Sequence, residues 1–354
     1  LRTNEKSNVN LQLISQDEWQ NYYSKLLKED REEFILSDET ERWEDTYGNV
    51  EAITSEEIQN VVKSLQNGKA PGPGGINIEL LKAAPIVLYE YLAKLFNLCL
   101  SGNDVHKHFK EGYISNVFKK GKKDDCSNYR GITVLSSIGR LYGKVLKARI
   151  EKECTDMEEQ SGFRAGRSCI DNIFTLRQVT DKRLAHNLET HLVYVDLQKA
   201  YDSVPLLKMW EAMKRQGVKN VYVKAVRNLY SGNICCVKIG NTLSSSFMVD
   251  RGLRQGCCLA PTLFKIFLTE ALKNWRRKCS SMGIQINNDH LYSLNFADDQ
   301  IIFAEDDNDI NYIISKLKEE YENWGVKINP SKTEYMVVGG VGKDIELEDG
   351  SVIK

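Results

Sequence analysis

Phe296-Ala297-Asp298-Asp299 sets two carboxylates side by side between two apolar runs, Leu291-Tyr292-Ser293-Leu294-Asn295 and Ile301-Ile302-Phe303-Ala304. The pattern predicts a tight β-hairpin in which no Gly or Pro supplies the turn, so the two aspartates occupy it themselves. Like charges held side by side repel unless a cation neutralises them. The pair therefore suits a divalent-metal site, and metal ions on phosphates are one route to nucleotidyl transfer. The plain alternative is a solvated turn, because Asp tolerates turn geometry. A further carboxylate, Asp196, ends the short apolar run His191-Leu192-Val193-Tyr194-Val195. An Asp at the end of a buried strand is held rigidly, although a helix or turn cap would also use one. Two neighbouring antiparallel strands would bring Asp196, Asp298 and Asp299 together. Three hard oxygen ligands plus substrate phosphates fit two Mg²⁺ ions about 3.5–4 Å apart.

The elements that must hold these groups alternate along the chain. An amphipathic helix is expected over 11–35, with Leu11, Leu13, Ile14, Trp19, Tyr22, Tyr23, Leu26 and Leu27 on one face. Thr54-Ser55-Glu56-Glu57 starts a second helix that ends near Asn67-Gly68, and the Pro/Gly loop 69–75 follows. Helices are expected at about 77–101, 136–153, 169–187, 219–231, 258–277 and from Ile310 to Gly325. Strands and a basic loop are expected over 112–134. Ser203 is a candidate cap for a helix holding Pro205 in its first turn and ended by Gly217. Residues 234–239 and 244–250 read as a hairpin across Gly240-Asn241, and strands are expected near 326–329 and 334–338. From Asp196 onward the order is mixed, with antiparallel pairs and no repeated βαβ unit, which is an α+β pattern.

Composition bounds the class. The chain has 354 residues, 42% hydrophobic and 27% charged, as in ordinary globular proteins. No run approaches the roughly 18 apolar residues of a membrane span, and no signal peptide is seen. The expected setting is intracellular, nucleus and/or cytoplasm, with no membrane partner. The chain begins at Leu1 rather than Met, which reads as a fragment or processed piece. Nine cysteines form no C-x-x-C pair, and the five histidines do not cluster with them, so reduced thiols are expected rather than zinc. The net charge of −1 conceals a split. The first sixty residues hold fifteen Asp and Glu against six Lys and Arg, whereas residues 103–150 hold eleven Lys and Arg against four Asp and Glu. That basic stretch is either a solvated face or a phosphate-binding surface.

Seven blocks in order resemble the reverse transcriptases of non-LTR (LINE-type) retrotransposons. Lys69-Ala70-Pro71-Gly72-Pro73-Gly74-Gly75-Ile76 resembles the N-terminal extension motif. Phe118-Lys119-Lys120-Gly121 with Ser127-Asn128-Tyr129-Arg130-Gly131-Ile132 resembles the first fingers motif, and Gln160 to Ser168 (QSGFRAGRS) the second. Val195 to Asp202 (VDLQKAYD), Arg254 to Pro261 (RQGCCLAP), Phe296 to Asp299 (FADD) and Trp324 to Thr333 (WGVKINPSKT) resemble motifs A to D. The resemblance covers most of Glu51 to Val338. It departs from the family at Gly74, Gly131 and Ala260, where an acidic residue, Pro and Ser are common.

The resemblance implies a right-hand polymerase with fingers and palm, the palm an antiparallel sheet backed by helices, and a thumb largely absent. The implied divisions are an acidic helical extension over 1–60, fingers over 61–188 and palm over 189–340. The start of a truncated primer-grip or thumb region would occupy 341–354. The implied activity is RNA-directed DNA synthesis, adding dNTPs to a primer 3′-hydroxyl with release of pyrophosphate. Its partners would be an RNA template, a DNA primer and dNTPs. Its cofactor would be two Mg²⁺ ions, with Mn²⁺ as the substitute. Asp196, Asp298 and Asp299 would be catalytic metal ligands, and Lys332 would protonate the pyrophosphate unless it is merely solvated. Lys120 and Arg130 would hold the triphosphate, Gln255 and Gly256 would border the nucleotide, and Arg164 and Arg167 would lie near template phosphates. Tyr201 would pack against the sugar and exclude a 2′-hydroxyl. The competing expectation is a non-catalytic nucleic-acid-binding remnant of a retroelement.

Overall fold

Several helix starts in this chain are set by short polar side chains. Ser15 Oγ accepts from the Glu18 N–H and the Glu18 carboxylate takes the Ser15 N–H at 2.8 Å, a capping box that opens α1 (Gln16–Leu26). The computed structural model describes residues 11–35, 50–347 and 349–354. Parts of the expected acidic extension, 1–10 and 36–49, lie outside the described residues. The helix expected over 11–35 is regular only in α1, with single 3₁₀ turns at Leu11–Leu13 and Glu32–Phe34. Thr54 caps α2 (Ser55–Lys63) through the Glu57 N–H.

The helix expected over 77–101 is two helices, α3 (Ile78–Ala83) and α4 (Ile86–Leu100). Pro85 has no N–H to give the first helix and disfavours helical geometry at Ala84, so it ends one helix and begins the next. Next come α5 (Lys107–Lys110), β1 (Glu111–Phe118), β2 (Tyr129–Leu135) and α6 (Ser137–Ile150). They are followed by α7 (Cys169–Ala185), β3 (Thr190–Val195), α8 (Ala200–Ser203) and α9 (Leu206–Arg215). Ser203 is not a cap: its hydroxyl donates to the Gln198 carbonyl, and Pro205 holds the cap position of α9. The chain continues with α10 (Asn220–Tyr230), β4 (Asn233–Ile239), β5 (Thr242–Leu243), β6 (Phe247–Val249) and α11 (Ala260–Lys278). After these come β7 (Ile284–Ile286), β8 (Asp289–Leu291), β9 (Ser293–Phe296), β10 (Asp299–Ala304), α12 (Asp307–Asn323) and β11 (Glu334–Val338). Two short strands, β12 (Ile345–Glu346) and β13 (Val352–Ile353), pair with each other. Residues 326–329 form no strand; only an isolated bridge joins Ile328 to Leu197.

The chain divides into two compact units, Leu1–Glu153 with Val218–Ala260 and Cys154–Gly217 with Pro261–Lys354. Both are discontinuous in sequence, whereas the expected divisions were cut at single points. In the first unit β1 is antiparallel to β2 and parallel to β4, which also pairs with β5 and β6. Helix α1 lays Trp19 and Tyr23 on this sheet against Ile114, Tyr129, Val237 and Phe247.

The second unit is built on a four-stranded antiparallel sheet in the order β11-β3-β10-β9. Alternation along the strands gives it two different faces. Leu192, Leu294 and Phe303 form one apolar face, joined by Leu176 and Val179 of α7. On the other, Tyr321 of α12 reaches Gln300 of β10. Trp275 of α11 donates its ring N–H to the Ile313 carbonyl, tying α11 to α12. Among the described residues no helix is long and apolar enough to cross a membrane.

Candidate active site

The site residues of the second unit sit where strands end. The run Thr190–Val195 is rich in β-branched residues and is buried except at Tyr194, so β3 is a central strand and Asp196 leaves it at a fixed point. Strand β10 pairs with β3 so that Gln300 faces Val195. Continued by one residue, that register would set Asp299 opposite Asp196. Directly opposed side chains share a face with Cβ atoms about 4.5–5.5 Å apart, and like charges there destabilise the pair.

The hairpin itself differs from the expected one. Asp299 pairs with Phe296 and is the first residue of β10, so the two-residue turn is Ala297-Asp298. Ala297 takes φ of +60° and Asp298 does not have a positive φ, the combination of a type II′ turn. Only one aspartate therefore occupies the turn; the other is fixed by the ladder.

Electrostatics agree with this crowding. The Asp299 carboxyl is raised from its ordinary value, by burial first and then by the charges of Asp298 and Asp196. Asn329 holds Asp196 in place: its side-chain amide donates to Asp196 Oδ2 at 3.1 Å and its backbone N–H to the Asp196 carbonyl at 2.8 Å. Thr333 Oγ1 accepts the Asp196 N–H at 3.3 Å. Lys332 Nζ lies 3.8 Å from Asp196 Oδ2 and is mostly exposed, so the pair contributes little to stability. Asp196, Asp299 and Lys332 open on one cavity of about 350 Å³, whose far wall includes Cys169, Ile173 and Leu176 of α7. Sequence reading missed Asn329. An Asn before Pro signals a turn, but nothing local says that the turn grips a residue 133 positions earlier.

Tyr201 lies on α8, stacked on Phe264 with ring centroids 4.5 Å apart and meeting Phe163 edge-on. Burial, and after it the Asp298 charge, raises its phenol above the ordinary range. Arg164 is spent inside the unit: it donates to the carbonyls of Met157, Glu158 and Gln160 and pairs with Asp156 and Glu158. Arg167 pairs with Glu158. Both guanidinium groups thus pair with acidic side chains of the same unit.

The remaining predicted residues belong to the first unit. Lys120 and Arg130 are exposed, on either side of the turn joining β1 to β2. The Gln255 carbonyl accepts the Thr133 N–H of β2 at 2.6 Å. Gly256 has φ of +101° and a Cβ there would lie 2.9 Å from the Thr133 carbonyl oxygen, so the loop needs glycine to approach the strand. Buried Arg254 anchors it, donating to the Leu229 carbonyl and Asn233 Oδ1 under the Tyr230 ring.

The donor set suits a hard, oxygen-ligated divalent ion. Asp196 and Asp299 line one cavity, and burial together with the charges of Asp298 and Asp196 raises the Asp299 carboxyl from its ordinary value. Among the described residues no three His, Cys, Asp or Glu side chains close on one point.

Comparison with known proteins gives the geometry a family. Residues 119–346 match the family model described as reverse transcriptase (RNA-dependent DNA polymerase). The chain is 25% identical over 284 residues to a Pol polyprotein of the type-2 retrotransposable element R2DM of Drosophila melanogaster, covering 79% of this chain and 26% of that protein. It is 23% identical over 298 residues to the RNA-directed DNA polymerase from the mobile element jockey of the same organism, covering 79% and 31%. The chain thus spans about a third or less of the length of these curated relatives. The structure is similar to apo telomerase from Candida tropicalis, with a TM-score of 0.51, 15% identity, and 73% of this chain and 56% of that one covered. The likeness is one of fold, the right-hand polymerase architecture of mixed helix and sheet. The chain belongs to the reverse transcriptase (RNA-dependent DNA polymerase) family.

Proposed function

We propose that this chain is the polymerase domain of a non-LTR element, extending a DNA primer on an RNA template with dNTPs. The observation that carries the reading is the β3–β10 register, which ends with Gln300 opposite Val195 and so leaves Asp299 and Asp196 as neighbours at the strand ends beside the Asp298 turn. In this reading the first unit includes the fingers and the second the palm. Asp196, Asp298 and Asp299 hold two Mg²⁺ ions, or Mn²⁺ in their place. Bound there, the pair supplies positive charge to the phosphates and lowers the pKa of the primer 3′-hydroxyl. Asn329 keeps the Asp196 carboxylate aimed at the cavity. Lys332, exposed at the rim, would deliver a proton to the departing pyrophosphate. Arg130 and Lys120 bring donors for the triphosphate, Arg by paired hydrogen bonds. Gln255 and Gly256 border the nucleotide. Arg164, by its internal bonds, braces the segment 156–164, and Arg167 is left as the nearer candidate for the template.

The test is primer extension on an RNA template with Mg²⁺ and dNTPs. Asp298→Ala should lower the rate by well over a hundredfold, beyond the loss typical of groups that only support a metal ligand. Equal extension by the variant and the parent would remove the catalytic assignment. Tight template binding with no extension by the parent would favour a binding remnant.

A further inference from the structure

Ala297 and Asp298 carry the hairpin turn, and in a two-residue hairpin the first turn residue's own N–H and carbonyl face away from the ladder. Both need partners, because Ala297 is buried. One side chain supplies them. Gln160 Oε1 accepts the Ala297 N–H at 3.0 Å, and Gln160 Nε2 donates to the Ala297 carbonyl at 3.2 Å. The same Oε1 accepts the Gly162 N–H at 2.8 Å. Gln160 is 3% exposed, so these bonds form in the interior.

The backbone around Gln160 is fixed as firmly. Segment 159–162 runs beside β9 in parallel: Asn295 N–H donates to the Glu159 carbonyl and Ser161 N–H to the Asn295 carbonyl, both at 2.9 Å. Asn172 of α7 joins this pair, accepting from Ser161 Oγ at 2.7 Å and donating to the Asn295 carbonyl at 3.0 Å. Gly162 then passes so close that a Cβ on it would lie 2.1 Å from Ala297 N. The segment thus meets the turn at its one left-handed residue.

We propose that Gln160 is the positioning residue of the carboxylate hairpin: its amide clamps Ala297 and thereby fixes where Asp298 and Asp299 present their oxygens to the divalent ions. The proposal rests on the polymerase reading for its use of those ions. The clamp itself can be read without any turnover.

Three variants in the full chain decide it. Gln160→Met keeps the volume and loses all three bonds. Gln160→Glu restores the acceptor for both N–H groups. Asn172→Ala loosens the same segment without touching the turn. Amide hydrogen exchange at Ala297 should be slow in the parent, fast in Gln160→Met and slow again in Gln160→Glu. Mn²⁺ titration followed by electron paramagnetic resonance should show binding weakened by about tenfold or more in Gln160→Met, the range seen when groups supporting metal ligands are lost. Asn172→Ala should lower the melting temperature and leave Mn²⁺ binding within about twofold of the parent, since it touches no ligand. Parent-like exchange and Mn²⁺ binding in Gln160→Met would overturn the clamp. So would equal weakening by Asn172→Ala, which would make the effect general packing. If the parent extends no primer but the exchange and Mn²⁺ patterns hold, the clamp stands and the polymerase reading falls.

Discussion

Tyr201 is the residue on which the proposed choice of sugar turns. It is wedged between Phe264, stacked at 4.5 Å, and the edge of Phe163, so it cannot swing aside without breaking aromatic packing. A fixed ring against the sugar leaves no room for a 2′-hydroxyl. Tyr201→Val should therefore raise the kcat/KM for ribonucleotides relative to deoxyribonucleotides by about ten- to a hundredfold, the scale of a steric exclusion of one small group. Competitive incorporation measured with matched dNTP and rNTP pairs checks this, and an unchanged ratio would mean the ring is only core. Removing the ring also creates a cavity over Phe264, so the ratio, not the absolute rate, carries the argument.

At the scale of elements, the sheet of the second unit is located by α12. Tyr321 is fully buried and its hydroxyl donates to Gln300 Oε1 at 2.6 Å, one residue after Asp299. Tyr321→Phe leaves that oxygen buried without its donor and should cost roughly 1–3 kcal/mol. Urea denaturation with an unchanged m-value reads the loss; a shift below about 0.5 kcal/mol would mean the strand is held by packing alone. The strands that carry the aspartates were legible because β3, β9 and β10 are apolar runs bounded by polar residues, and Asp196 and Asp299 fall at their ends. The pairing of β3 with β10 was expected, but the turn was misplaced by one residue, because Ala297 adopts a conformation usually left to Gly or Asn. Gln160 and Asn329 were not legible as supports. Each acts on a residue more than 130 positions away, and a neutral amide carries no local sign of its distant partner. The internal bonds of Arg164 were not legible either: a charge in a glycine-rich block carries no local sign that Asp156 and three carbonyls bind it.

At the scale of the whole molecule, chain order and units part company. The sheet of the first unit pairs β1 with β4 in parallel although more than a hundred residues lie between them, and no local period announces such a pairing. Charge was more legible than topology. The near-neutral total hides a basic loop on the first unit, where Lys120, Lys122, Lys123 and Arg130 are exposed and no described carboxylate forms an ion pair with them. Cations without acidic partners are the ones available to displace counterions from a nucleic acid. Each phosphate they neutralise adds about 0.7 to the slope of log K against log salt on a single strand and about 0.9 on a duplex. Replacing all four with Gln should weaken template binding and flatten that slope by up to about three, with little dependence on template sequence. Lys316, already held by Glu319 at 2.7 Å, is the matched control, and Lys316→Gln should leave the slope unchanged. Titrating a labelled RNA from low to high KCl separates the outcomes. A fall in affinity at a constant slope would mean that the loop acts through shape rather than charge, and the phosphate-binding role of Lys120 and Arg130 would be lost with it.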